Sequence, residues 1–328
     1  MRWLLLPSLV HGWSLAPGAV KVQENWSRDM AGQLHSIQSD KPGVVRYSLQ
    51  GAPDETSPFE LVSQPISSGN PIVNLYLKSS WTDTNNEKVD RLDRELKAQY
   101  QLMISALDNT DNELERSMLT VKVMDQNDEK PEFTQASRNL RCQENVSHNT
   151  VCGTIRADDK DEQGPIGYGT VEYKIPPNDE IWHSVSGQTE VKRTGMFAVD
   201  KKTGDVRLMN PDKDALWDRE KYTKVEIIVQ AYDSPNVQSM QHTVSATITI
   251  EILDVNDEQA RFSSNCNFEL SVDENQMTEL YLKDQDYTFK GTDADATEEN
   301  NLVFFEFEDE RNNDIFHITN PGKNISLK

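Results

Sequence analysis

Val123-Met124-Asp125-Gln126-Asn127-Asp128-Glu129 returns later in the chain as Ile252-Leu253-Asp254-Val255-Asn256-Asp257-Glu258. In each copy an apolar pair runs into a dense set of oxygen-bearing side chains. Just upstream, Thr120-Val121-Lys122-Val123 and Ser245-Ala246-Thr247-Ile248-Thr249-Ile250-Glu251-Ile252 alternate apolar with polar residues. That is the period of a half-buried β-strand. Each copy therefore reads as a strand leaving a core and ending in an acidic segment, with Phe133 or Phe262 a few residues on.

Three further phrases recur in the same order. Gln23-Glu24-Asn25 has partners at Gln143-Glu144-Asn145 and Asp273-Glu274-Asn275. Leu92-Asp93-Arg94-Glu95 matches Trp217-Asp218-Arg219-Glu220, and Asp159-Lys160-Asp161 matches Asp293-Ala294-Asp295. Phrases that return in register mark repeated structural units. The units run over 17–133, 134–262 and 263–328, the last lacking its closing phrases; residues 1–16 read as a signal peptide or an N-terminal arm. Val225 to Ala231 also reads as a strand, and Lys201-Lys202-Thr203-Gly204-Asp205 as a hairpin-type turn before Val206-Arg207-Leu208. Short strands between turns, with no long amphipathic helix, predict an all-β fold of tandem antiparallel β-sandwiches.

The chain has 328 residues, with 33 Lys and Arg against 55 Asp and Glu and a formal charge of −22. So acidic a surface argues against nucleic acid, whose phosphates need basic groups. No H-E-x-x-H, G-x-S-x-G, phosphate-cradling glycine loop or C-x-x-C pair occurs, and His11, His35, His148, His183, His242 and His317 lie scattered. A hydrolase using calcium is the rival class; its acids need not repeat in register, and the chain is expected not to be an enzyme. Of the three cysteines, Cys142 and Cys152 are close enough in sequence to close a local loop. Cys266 is left over, as a free thiol or an intermolecular bond. Arg2, the apolar stretch Trp3 to Val10 and the small residues Gly12, Ser14 and Ala16 resemble a short secretory signal. Sequons stand at Asn25, Asn145 and Asn324.

Calcium takes six to eight oxygens from carboxylates, amides and backbone carbonyls at about 2.3–2.6 Å. One acidic segment supplies too few, so the remainder must come from distant parts of the chain. Carboxylates crowded without a cation repel one another and take up protons; a divalent ion removes that cost. The recurring acids are thus expected to gather around metal.

In this order the phrases resemble the calcium motifs of cadherin ectodomain repeats: x-E-x, D-R-E, A-x-D, D-x-N-D-x-x-P and D-x-D. The resemblance spans roughly residues 17 to 328. It implies Greek-key sandwiches of immunoglobulin-like topology, with about three Ca2+ ions in each linker between repeats. At the first junction it assigns Glu24, Asp93, Glu95, Asp125, the carbonyl of Gln126, Asn127, Asp128, the carbonyl of Glu129, Asp159, Asp161 and Asp233. At the second it assigns Glu144, Asp218, Glu220, Asp254, Asn256, Asp257, Asp293 and Asp295. Glu129 and Glu258 stand where the family usually has Asn, and Ala260 where the first linker has Pro131. Asp108 holds the A-x-D place of repeat one, which as an outermost repeat has no preceding linker to serve. The implied function is calcium-dependent cell–cell adhesion at the extracellular side of the plasma membrane. The implied partner is another cadherin ectodomain on an apposed cell, in homophilic contact, with the membrane anchor outside this chain. Gly12-Trp13-Ser14-Leu15-Ala16-Pro17 resembles the exchangeable arm of one subgroup, with Ala106 at the pocket position; Trp13 also fits a signal segment or a core. A receptor or heterophilic ligand that does not itself adhere homophilically is the alternative.

Overall fold

A computed structural model describes residues 19–50, 57–64, 68–83, 85–164, 168–210, 216–234, 236–262, 291–308, 316–319 and 324–327. Residues 1–16 with Trp13, the phrase Asp273-Glu274-Asn275 and Cys266 lie outside these. The chain divides into two compact units. The first holds the described residues of Met1–Lys130 with Asp159–Thr170 and Asp233–Gln241; the second holds those of Pro131–Asp158, Val171–Tyr232 and His242–Lys328.

The strands of the first unit are β1 (Val20–Gln23), β2 (Gln33–Ile37), β3 (Arg46–Gln50), β4 (Phe59–Gln64), β5 (Ile72–Leu77), β6 (Trp81–Thr82), β7 (Lys88–Val89), β8 (Gln99–Leu107) and β9 (Glu113–Met124). One sheet has the order β1-β9-β8-β3 and another β2-β5-β4. The chain passes back and forth between them, as a Greek-key sandwich requires. Val22, Leu102, Ile104, Leu119, Val121 and Val123 from the first sheet meet Ile37, Phe59, Val73, Leu75 and Leu77 from the second in one buried cluster. Alternation along β9 buries Leu119, Val121 and Val123 and leaves Lys122 in solvent. Each such apolar side chain contributes roughly 1.5–3 kcal/mol by leaving water.

The second unit contains β10 (Glu132–Phe133), β11 (Asn139–Gln143), β12 (Thr150–Thr154), β13 (Ala157–Asp158), β14 (Glu172–Lys174), β15 (Glu180–Ser184), β16 (Thr189–Lys192), β17 (Phe197–Val199), β18 (Asp205–Leu208), β19 (Tyr222–Tyr232), β20 (Thr243–Leu253), β21 (Arg261–Phe262), β22 (Gly291–Thr292), β23 (Phe316–Thr319) and β24 (Asn324–Leu327). Its large sheet runs β11-β20-β19-β15-β16, with β14 also on β19, and a smaller sheet runs β12-β18-β17. Trp182, fully buried, meets Trp217 and Tyr222 edge to face at 6.3 and 5.1 Å. The turn before β18 forms as expected: Asp200 Oδ1 accepts the backbone N–H groups of Lys202 and Thr203 at 2.9 and 2.8 Å. Gly204 sits there at φ 75, where a Cβ would lie 2.4 Å from the Ile155 carbonyl oxygen.

The only α-helix among the described residues is Arg28–Ala31, so the all-β reading holds. One feature goes beyond the expected antiparallel sheets. β1 pairs with β9 in parallel, Val20 opposite Val121, and β11 pairs with β20 in parallel, Asn139 opposite Thr249. Alternation has the same period in both kinds of pairing, so it carried no sign of the difference.

Candidate metal centres

The Glu-Asn phrase ends β1 and β11. Asn25 and Asn145 adopt φ 57 and 54, the left-handed region that Asn tolerates better than most residues. This backbone turn stops the strand and directs the preceding glutamate inward. Glu24 is fully buried and Glu144 nearly so. Glu24 Oε2 accepts the Arg94 backbone N–H at 2.9 Å, and Oε1 accepts that of Gln126. Glu144 repeats the arrangement, accepting from Arg219 at 2.6 Å and Val255 at 2.8 Å. Each glutamate thereby joins the Asp-Arg-Glu phrase to the acidic segment that follows the last strand. The amides of Asn25 and Asn145 donate to Asp128 Oδ2 at 2.6 Å and Asp257 Oδ2 at 2.5 Å.

The Asp-Arg-Glu phrases are anchored by the residue before them. Leu92 and Trp217 are buried, and Trp217 Nε1 donates to the Gln143 carbonyl at 2.8 Å. Asp93 and Asp218 then close local turns onto the backbone N–H groups of Leu96 and Lys221, at 2.8 and 3.1 Å.

In the first unit these elements bring together Glu24, Asp93 and Glu95, and beside them Glu95, Asp125 and Asp161. The second unit brings together Glu144, Asp218 and Glu220, and then Glu220, Asp254 and Asp295. In each set one ligand atom per residue lies within 4.8 Å of the others. Glu95 and Glu220 each belong to two sets.

Burial first, then neighbouring negative charge, governs their protonation. Glu24 is raised to about 7 by burial, with Glu95 and Asp128 adding to it against the Arg94 and Gln126 amides. Asp161 is raised to about 8 by burial and then by Asp159 and Asp125. Neither of its oxygens has a hydrogen bond of ordinary geometry, though the Glu129 amide lies close enough to ease the charge. Glu220 rises to about 8 by burial and the charge of Glu144. Burial also raises Asp125 and Glu144. Asp254 goes the other way. Burial opposes its charge, but Thr297 and Asn300 donate to it and hold it at about 2.

The remaining predicted residues surround these sets. Asp159 Oδ1 accepts the Asp161 N–H at 3.0 Å, and Asp293 Oδ1 accepts that of Asp295 at 3.0 Å, so both Asp-x-Asp phrases have the same turn. Asn127 Nδ2 donates to Asp233 Oδ1 at 3.3 Å and to the Met240 carbonyl, leaving its own buried Oδ1 without a hydrogen bond. Gln126 Nε2 donates to the Glu24 carbonyl. The side chain of Glu129 pairs with Lys160 at 3.3 Å. Asn256 Nδ2 donates to the Asn300 carbonyl at 3.3 Å, and the Asp257 N–H donates to Asp295 Oδ1 at 3.3 Å. Asp108 stays outside any such set: it caps its own turn, accepting from Thr110 N at 2.8 Å and Asn112 N at 2.9 Å.

Sequence reasoning missed several partners. Arg94 reaches into the first cluster, with Nη1 3.4 Å from Glu95 and 3.6 Å from Asp125, and Nη2 3.4 Å from Glu162. Its place in a recurring phrase was the available signal. Thr297 and Asn300 have no counterpart in the repeated phrases, and nothing in the pattern pointed to them.

The donor sets consist of oxygen alone, which suits a hard divalent cation. Two oxygens on one calcium ion are separated by up to about 5 Å, and these sets fall within that limit. Buried oxygens without a hydrogen bond, Asn127 Oδ1 and Asp295 Oδ2 among them, supply the unfilled coordination that such an ion needs. The residues therefore fit calcium.

A family profile described as the cadherin domain matches residues 138–251, from β11 to the end of β20. Mouse Cadherin-4 is 29% identical over 268 residues, covering 81% of this chain and 26% of that protein. Mouse Desmoglein-2 is 27% identical over 319 residues, covering 94% of this chain and 25% of its own. In three dimensions, the human Desmocollin-1 ectodomain superposes with a TM-score of 0.64 at 18% identity, over 95% of this chain and 52% of that one. The profile match and the curated relatives point to the cadherin superfamily. The chain spans about a quarter of the length of Cadherin-4 and of Desmoglein-2. The cadherin-domain match encloses Glu144, Asp218 and Glu220, whereas Asp254 and Asp295 lie beyond its C-terminal edge.

Proposed function

We propose that this chain is part of a calcium-dependent cell–cell adhesion ectodomain, organised as cadherin repeats over 17–133, 134–262 and 263–328. The observation that carries this is the second appearance of one acidic frame. A buried glutamate with two backbone amides, a D-R-E turn and a D-x-D turn recur in both units with the same hydrogen bonds. The ligands are those named above at each junction, with about three ions per linker. Ions held in common by consecutive repeats and their linker restrain how the repeats swing, so that an adhesive surface is presented with little orientational entropy left to lose. The protein acts at the outer side of the plasma membrane and meets a second cadherin ectodomain, homophilically.

Calcium titration of chelator-treated protein, followed by calorimetry and by thermal melting, tests the metal reading. Extracellular calcium modules bind at about 10⁻⁴–10⁻³ M. Saturation in that range with a raised Tm is expected; no heat and no shift at 10⁻² M calcium overturns it. Bead aggregation with the complete ectodomain tests homophilic contact. Aggregation only when a different cadherin is on the second bead favours the heterophilic receptor instead.

A further inference from the structure

Cys142 and Cys152 form a disulfide. Cys142 lies in β11, a strand of the large sheet of the second unit, and Cys152 in β12, a strand of the small sheet. The bond ties the two sheets together inside the core, where both cysteines are buried. β12 is bulged between Val151 and Gly153. A Cβ at Gly153 would lie 2.7 Å from the Leu140 side chain, so the absence of one lets β11 and β12 approach this closely.

The loop closed by this bond carries Glu144 and Asn145. Glu144 stands two residues from the bridged sulfur and accepts the Arg219 and Val255 amides. Asn145 holds Asp257. The corresponding loop of the first unit carries Glu24 and Asn25, but Val22 occupies the place of Cys142, and the sequence has no cysteine before residue 142. The two acidic clusters thus share one design, and only the second has a covalent tie beside its central glutamate.

We propose that the Cys142–Cys152 disulfide is a positioning element for the second acidic cluster: it holds the Glu144–Asn145 loop in its ligand-ready conformation, so that calcium affinity there depends on the bond while the first cluster's does not. This rests on reading the clusters as calcium sites. A closed loop has lost its conformational freedom before the ion arrives, so little ordering is subtracted from binding. Opening the bond returns that ordering cost to the ion. Removing groups that orient metal ligands typically weakens binding 10- to 100-fold; a loop still held by its strands should fall at the lower end, about 10-fold.

The experiment uses the full 328-residue chain. Cys142→Val with Cys152→Ala removes the bond, with valine being what the first unit has at that position. A second variant inserts Gly-Gly between His148 and Asn149, which slackens the loop but leaves the bond and the core side chains in place. Each is titrated with calcium in a Glu95→Ala background, reporting the second cluster, and in a Glu220→Ala background, reporting the first. Hydrogen exchange at the Glu144 and Asn145 amides is followed without calcium, and near-ultraviolet circular dichroism checks the fold. We expect about 10-fold weaker binding in the second cluster, faster exchange at both amides, and an unchanged first cluster. Wild-type affinity in both folded variants, or equal weakening of both clusters, overturns the proposal. If the unaltered chain takes up no calcium, the parent reading and this one fail together; if it binds and the variants match it, this one alone fails.

Discussion

The two acidic clusters have the same backbone frame and balance their charge by different means. In the first, a guanidinium enters: Arg94 stands among Glu95, Asp125 and Glu162. In the second, the corresponding Arg219 makes no ion pair among the described residues. There Asp254 is wrapped by the Thr297 hydroxyl at 2.5 Å and the Asn300 amide at 2.8 Å, while its neighbour Glu220 is left with a raised affinity for protons. A recurring phrase therefore fixes where carboxylates gather, and side chains outside it decide how an ion-free cluster tolerates itself. A cation stands at each cluster, Arg94 among several carboxylates of the first and Lys221 on Asp218 alone in the second. In both, an arriving ion meets carboxylates that hold protons.

The largest test removes the shared carboxylate. Glu95→Ala is expected to weaken calcium binding in the first cluster by about 100-fold or more, because two ligand sets lose a member together. Glu220→Ala should do the same in the second. Calorimetry on each variant should show one cluster lost and its counterpart intact; loss of both from either change would break the comparison.

Acidity comes next. Glu24, Asp161 and Glu220 have folded pKa values of about 7, 8 and 8, above the ordinary carboxylate range. The folded state holds these protons to higher pH than the unfolded chain does. Without calcium, the stability linked to them is complete below about pH 4 and is lost as pH rises through 7 to 8. Calcium binding releases the same protons, so affinity should climb across that window, by up to about tenfold per pH unit for each proton released. Melting between pH 5 and 9, in chelator and in calcium, should give curves that diverge as pH increases. Parallel curves would exclude the coupling.

Arginine replacement sharpens the comparison further. Arg94→Gln should strengthen calcium binding in the first cluster by a few-fold, up to about tenfold, since a competing charge leaves. Arg219→Gln should leave the second cluster unchanged. Identical responses would mean that the guanidinium does not compete.

The smallest effect concerns backbone shape. Asn25→Ala and Asn145→Ala each place a residue with a Cβ and no local hydrogen bond at positive φ, at a cost of about 1 kcal/mol. Glycine at the same positions keeps the turn, so denaturant melting should separate the two substitutions. Equal losses would point to the amide contacts with Asp128 and Asp257 instead.

Much of this was legible in the chain because recurrence reports geometry indirectly. Glu24, Asp93 and Glu95 converge, as do Glu144, Asp218 and Glu220, and each belongs to a phrase that returns in order. Alternation located β9, β19 and β20 because one face of each strand is buried. What stayed hidden depends on partners distant in sequence. Asp254 gives no sign that Thr297 and Asn300 will hold it, whereas the short spacing of Cys142 and Cys152 did point to the pair that bonds. The Leu92 and Trp217 anchors look dissimilar as residues, yet both fill the core beneath the same turn.

The parallel pairing of β1 with β9 bears on how the chain is made. Val20 cannot meet Val121 until nearly the whole first sandwich has left the ribosome. At roughly 5–20 residues per second, the opening strand then waits on the order of 5 to 20 seconds with its backbone groups unpaired. During that interval it is a free edge, available to any neighbouring nascent chain. A folding factor that shields this strand would therefore act at a step where this architecture is exposed to misassembly.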